Sequence, residues 1–124
     1  MSHPLAAVVQ MTSTADVQAN LATAEALVEQ AAARGATFVG LPENFGFLRS
    51  EGQPVPDPQP LDGPWVERMA ALARRLHVTL LLGSIPEQVE GDTLIRNTSV
   101  LLGPDGSTLA AYRKIHLFDI DLPG

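Results

Sequence analysis

The apolar positions of this chain change period several times, and each change marks an element. Leu5-Ala6-Ala7-Val8-Val9-Gln10-Met11 is nearly unbroken and of strand length. Runs of this kind suit a strand covered on both faces by helices. From Asp16 the spacing turns helical: Val17, Leu21, Ala24, Leu27, Val28 and Ala31 form one stripe, with Glu25 and Glu29 opposite. Thr12, Ser13 and Thr14 offer capping hydroxyls ahead of it, and Arg34-Gly35 is a helix stop. Residues 37–41 read as a second buried strand, ended by Pro42. Asp62-Gly63-Pro64 opens a second helix with proline in its first turn. Trp65, Met69, Leu72, Ala73 and Leu76 are its apolar face, Arg68, Arg74 and Arg75 turn to water, and His77 is a solvated residue near its end. Residues 78–85 are a third buried strand closed by Pro86, and 87–93 are polar and turn-like. Strands at 97–102 and 108–113 flank Gly103-Pro104-Asp105-Gly106, whose proline and glycines fit a tight turn.

The first three strands alternate with helices, which implies parallel pairing through right-handed crossovers. The last two are hairpin-linked and antiparallel. The expected fold class is α/β, a mixed sheet with covering helices, and 1–124 reads as one partial domain. Buried-type strands outnumber the helices available to cover them, so further covering elements are expected. Residues 46–63 form a long connection in which Pro54, Pro56, Pro58 and Pro60 alternate. It is extended and not helical. It is either a loosely ordered linker or a loop at the rim of a pocket, since it follows a strand end directly.

Composition narrows the function. The 124 residues are 45% hydrophobic and 18% charged, a globular balance. The formal charge of −6 argues against nucleic acid or an anionic membrane surface as partner, because both require a basic patch. No apolar run is long enough to span a bilayer, and Met1-Ser2-His3-Pro4 lacks the basic start of a secretory signal. A cytoplasmic location is the expectation. The chain has no cysteine, so it holds neither a disulfide nor a thiol nucleophile of its own. Lys114 is its single lysine. A compact ammonium at a reaction centre is not replaceable by arginine, which makes that position worth attention.

Two spots lie just beyond strand ends, where α/β sheets gather ligands and reactive groups. One is Leu41-Pro42-Glu43-Asn44-Phe45, where Glu43 follows a buried strand and is flanked by Phe45 and Phe47. A carboxylate so placed is a candidate general base; the bland alternative is a solvent-facing glutamate that caps a turn. The other is Tyr112-Arg113-Lys114-Ile115-His116-Leu117-Phe118. Lys114 there could present a cation to a developing oxyanion; the bland alternative is a charged strand edge that discourages aggregation. Strand alternation places Lys114 and His116 on one side, Arg113 and Ile115 on the other. No second ligand stands at metal-site spacing from His116. There is no glycine-rich phosphate loop and no Gly-x-Ser-x-Gly elbow.

Taken together, the two spots resemble the nitrilase (carbon–nitrogen hydrolase) superfamily. The matching features run in order along the chain: Val9-Gln10-Met11, the first helix, Leu41-Pro42-Glu43, Leu80-Leu81-Leu82-Gly83-Ser84, Arg96-Asn97-Thr98-Ser99, the Gly103–Gly106 turn, and Tyr112-Arg113-Lys114-Ile115-His116-Leu117. Residues 10–14 and the ending 117–124 look most like the branch of small amidases that includes deaminated-glutathione amidase and omega-amidase. The resemblance implies an α-β-β-α sandwich of which this chain covers about the N-terminal half. It implies a Glu–Lys–Cys triad, with Glu43 and Lys114 in the first two roles and the cysteine beyond Gly124. The implied substrate is a small-molecule amide, with no metal or organic cofactor, in a family whose members are often homo-oligomers. Lacking the cysteine, the 124 residues alone are expected to be inactive. Two other readings stand beside this one. In the first, the chain is a non-catalytic domain or subunit that associates with another chain through its open sheet. In the second, it is a plain α/β domain whose Glu43 and Lys114 are surface residues that point apart or into solvent.

Overall fold

The computed structural model describes residues 3–50, 52–55 and 58–115. Strands β1 (Leu5–Val8), β2 (Ala36–Leu41), β3 (Thr79–Gln88), β4 (Ile95–Leu102) and β5 (Thr108–Arg113) form one sheet in the order β1-β2-β3-β4-β5. Helices α1 (Val17–Ala33) and α2 (Pro64–Leu76) are the crossovers. As expected, β1, β2 and β3 run parallel and the hairpin strands β4 and β5 antiparallel. Among the described residues no helix is long and apolar enough to cross a membrane.

Local chemistry sets the helix ends. Asp16 caps α1 by accepting from the Ala19 N–H at 3.0 Å, and Gly35 takes the left-handed backbone (φ +94°) that ends it. Pro64 opens α2, and His77 closes it, also left-handed and exposed. The arginines of α2 do not all face water alone. Arg68 and Arg75 pair with Glu25 and Glu29 of α1, which clips the two helices together.

The core lies between these helices and one face of the sheet. Leu21, Ala24 and Val28 of α1 and Trp65, Met69 and Leu72 of α2 pack over Val39, Leu41, Leu80, Leu82, Val100 and Leu102. Among the described residues the opposite face is open. This corrects the reading of 5–11 as a strand buried on both sides: β1 is a short edge strand, and Val8 is 91% exposed. Phe38 of β2 and Tyr112 of β5 are likewise exposed. An unbroken apolar run marks a strand that can be covered twice, and here the described residues cover it once.

Two further corrections concern β3. Pro86 does not close it, because the strand continues to Gln88. Beyond the end of β2, the vacated side of β3 is taken by Gln59: its N–H donates to Pro86 O (2.8 Å) and its carbonyl accepts from the Gln88 N–H (2.9 Å). Within a strand a residue's N–H and C=O point the same way, so the N–H that proline lacks faces this loop and not β4. Glu87, expected in a turn, is therefore in the strand and buried. The proline-spaced connection is tied to the sheet at Gln59, and its start, with Phe45 and Phe47, is core.

Candidate active site

Glu43 and Lys114, 71 residues apart, meet at one end of the sheet, with Lys114 Nζ 3.4 Å from Glu43 Oε1. Both side chains are about half exposed, at 41% for Lys114 and 54% for Glu43. The two side chains therefore do not point apart. His116 and the ending 117–124 lie outside the described residues.

The local sequence explains how Glu43 gets there. Pro42 ends β2, and Asn44 turns the chain with a left-handed backbone (φ +54°), a conformation in which asparagine is more at ease than most residues. On the neighbouring strand, β3 carries an irregularity between Leu82 and Ile85. There the Ser84 N–H donates to Pro42 O (3.2 Å), and Ser84 Oγ accepts from the Asn44 N–H (3.3 Å). Gly83 permits the approach, because a Cβ at this position would stand 2.0 Å from the Leu41 carbonyl oxygen. Strand irregularities of this kind recur beside active sites, where they re-aim a side chain. The far side of the turn is held from α1 and the segment before it. Asn20 Nδ2 donates to Gly46 O (3.0 Å), and Ser13 Oγ donates to Phe45 O (2.9 Å).

Asn97 of β4 joins the two charged residues. Its side-chain N–H donates to Glu43 Oε1 at 2.7 Å, and its backbone carbonyl accepts the Lys114 N–H at 2.8 Å. Sequence reading placed Asn97 within a matching motif and gave it no role. The available signal was its position, across the ladder from the strand that delivers Lys114. An open cleft of about 510 Å³ adjoins Asn97. Phe47, Leu48 and Val55 from the proline-spaced connection line it together with Arg49 and Arg96. The pocket-rim reading of that connection fits this position.

A second charged cluster sits on the other face at the same sheet end. Thr98 and Arg113 are cross-strand neighbours, one residue beyond Asn97 and one before Lys114, so alternation turns them to the opposite face. Glu87, 3% exposed, accepts from Arg113 Nε and Nη2, both at 2.7 Å, and from Thr98 Oγ1 at 2.8 Å. The Arg113 guanidinium holds the Glu87 carboxyl below its ordinary value, against the opposing effect of burial, with a smaller contribution from the Thr98 hydroxyl. In return the carboxylate raises the Arg113 pKa.

A carboxylate and an ammonium within reach of each other beside a cleft can move a proton and stabilise an oxyanion, which is the equipment of acyl transfer from an amide. The family model for carbon-nitrogen hydrolases matches residues 5–124, and the chain belongs to that family. It is 40% identical over 124 residues to a deaminated glutathione amidase of Synechocystis, covering 99% of this chain and 46% of that protein. It is 38% identical over 130 residues to the omega-amidase NIT2 of Danio rerio, covering all of this chain and 44% of that protein. The crystal structure of the C. elegans NitFhit protein superimposes with a TM-score of 0.79 at 31% identity, over 94% of this chain and 29% of that one. The fold is that of the nitrilase superfamily. The chain spans less than half the length of the curated relatives it matches.

Proposed function

We propose that Glu43 and Lys114 are two members of an amidase active site, and that the third, a cysteine, comes from polypeptide beyond these 124 residues. The complete enzyme then hydrolyses the ω-amide of a small carboxylic acid to the carboxylate and ammonia, and the 124-residue chain alone does not. The observation that carries this reading is the convergence of Glu43 and Lys114 on one sheet end, bridged by Asn97. The absence of cysteine from the sequence and the open face of the sheet support the assignment of the remainder to a further segment.

The chemistry follows from the residue types. Glu43 takes the thiol proton as sulfur attacks the amide carbon, and the carbonyl oxygen gains the negative charge. The Lys114 ammonium stabilises that charge. The tetrahedral intermediate collapses, the C–N bond breaks, and Glu43 gives its proton to the departing ammonia. Water then attacks the thioester carbon while Glu43 takes one of its protons. The C–S bond breaks, the carboxylic acid leaves and the proton returns to sulfur. Arg49 on the cleft wall suits a substrate that carries a free carboxylate at its far end, whereas Arg96 beside it is taken up by Asp92.

The test is ammonia release from dicarboxylic acid monoamides by the complete protein and its Glu43→Gln and Lys114→Met variants. Loss of at least a hundredfold in each is expected. Activity retained in both overturns the assignment.

A further inference from the structure

The proposed chemistry leaves unused a buried, ionised carboxylate at the same sheet end. Burying a charge is costly unless it is paired and hydrogen-bonded, and Glu87 is both. What this arrangement holds in place is visible from the strands it joins. Glu87 is on β3, Thr98 on β4 and Arg113 on β5. The Glu87–Arg113 ion pair thus reaches across β4 and ties three strands at one level.

β5 needs such a tie. Among the described residues it is the outer strand, exposed at every residue, and it pairs with β4. Edge strands fray at their ends, and Lys114 is the residue immediately past the end of β5. Beyond the ladder itself, and besides the loose contact of the Lys114 ammonium with Glu43, that end is fixed among the described residues by the Lys114 N–H to Asn97 O at 2.8 Å and by the paired guanidinium of Arg113. Each partner of the lock is a direct neighbour of a site residue. Thr98 follows Asn97, and Arg113 precedes Lys114. Because alternate residues face opposite sides, a lock on the helix-covered face leaves the Asn97 and Lys114 side chains free to reach Glu43 on the open face.

We infer that Glu87 and Arg113, with Thr98, are positioning residues that hold the Lys114 ammonium beside Glu43 from the opposite face of the sheet. The inference rests on the amidase reading for its effect on rate, and on the ladder geometry alone for its effect on the β5 end. A displacement of about 1 Å at a reacting group can cost on the order of a hundredfold in rate. The loss belongs in kcat, because the substrate's distal contacts are untouched.

The experiment uses the complete protein and four single variants: Glu87→Gln, Arg113→Lys, Arg113→Met and, as a control on the amidase reading, Lys114→Met. Glutamine keeps the shape of Glu87 but turns an N–H donor toward the guanidinium. Arg113 is half exposed, so its variants do not disturb the core volume. Ammonia release and amide hydrogen exchange are both measured. Glu87→Gln and Arg113→Met should lower kcat roughly ten- to a hundredfold with KM unchanged, and Arg113→Lys should lie between them and the parent. Exchange of the Lys114 amide should speed up in both severe variants while the amides of Leu80 and Leu82 keep their protection. A kcat within twofold of the parent overturns the inference, as does exchange that rises uniformly across the sheet, which marks a general stability role. If Lys114→Met remains fully active, the amidase reading fails, and the Lys114 amide still reports whether the lock holds the strand end.

Discussion

The two faces of the sheet carry two carboxylate–cation pairs at the same end, built to opposite specifications. On the helix-covered face, Glu87 and Arg113 make two short parallel bonds, and the carboxylate is almost fully buried. On the open face, Glu43 and Lys114 make one contact of 3.4 Å with both side chains half exposed. The first is a permanent bond between strands, since fork-to-carboxylate geometry is strong and directional. The second is loose, with lone pairs and protons left for something else. A group that must accept and release a proton cannot also be saturated with fixed partners. Tightness therefore separates the pair that holds the fold from the pair that is available for chemistry.

Breaking each pair separately should show this division. The largest expected effect is on the open face. Lys114→Met in the complete enzyme should cost about 3 kcal/mol of transition-state stabilisation, as removal of an oxyanion donor does, while shifting unfolding by no more than about 0.5 kcal/mol, as for other exposed pairs. Kinetics and thermal melts of one sample check both halves.

Gly83→Ala joins the two regions, because its new Cβ would sit 2.0 Å from the Leu41 carbonyl oxygen. Such overlap costs on the order of 1–3 kcal/mol and should also displace the Glu43 turn, so stability and activity fall together. Urea unfolding and ammonia release measure this.

Arg113→Met leaves the Glu87 charge buried without its partner. Removing one member of a buried pair costs roughly 3–5 kcal/mol. Here the guanidinium is half solvated, so screening makes the loss smaller than that and it falls on the β5 end. The pair also sets an acid dependence. The Glu87 carboxyl is held below its ordinary 4.5 in the fold, so its contribution is present above that value and is lost as pH falls through the lower folded value. Melts taken from pH 6 downward should show this loss in the parent and less of it in Glu87→Gln.

The smallest effect belongs to the clip between the helices. Glu29→Ala removes an exposed pair with Arg75 and should change stability by no more than about 0.5 kcal/mol. A larger change would blur the contrast between buried and exposed pairs.

Much of this layout is legible in the sequence because it depends on near neighbours. The helical stripe from Val17 to Ala31, the Arg34-Gly35 stop, the proline start of α2 and the Pro-Asp-Gly hairpin turn are all local signals, and each matches the structure. Glu43 and Lys114 are legible by type and by their position just beyond strand ends. What escaped depends on contacts between distant segments. Whether β1 is covered twice or once is decided by which elements pack on the sheet, and not by its own residues. Pro86 reads as a strand end because proline lacks an N–H, yet the neighbour on that side is a loop whose Gln59 N–H instead donates to the Pro86 carbonyl. Glu87 reads as a turn residue because its partner lies 26 positions away. Asn97 is neutral and sits mid-strand, so nothing nearby marks it as the bridge between two charged groups.

The central claim is that Glu43 and Lys114 act as one unit on one reaction. A double-mutant cycle in the complete protein tests it, with Glu43→Gln, Lys114→Met and the pair together assayed for ammonia release. Members of a catalytic unit are strongly non-additive. The expected result is that the double variant loses about as much activity as the worse single one. Losses that multiply, or activity that survives both substitutions, would contradict the claim.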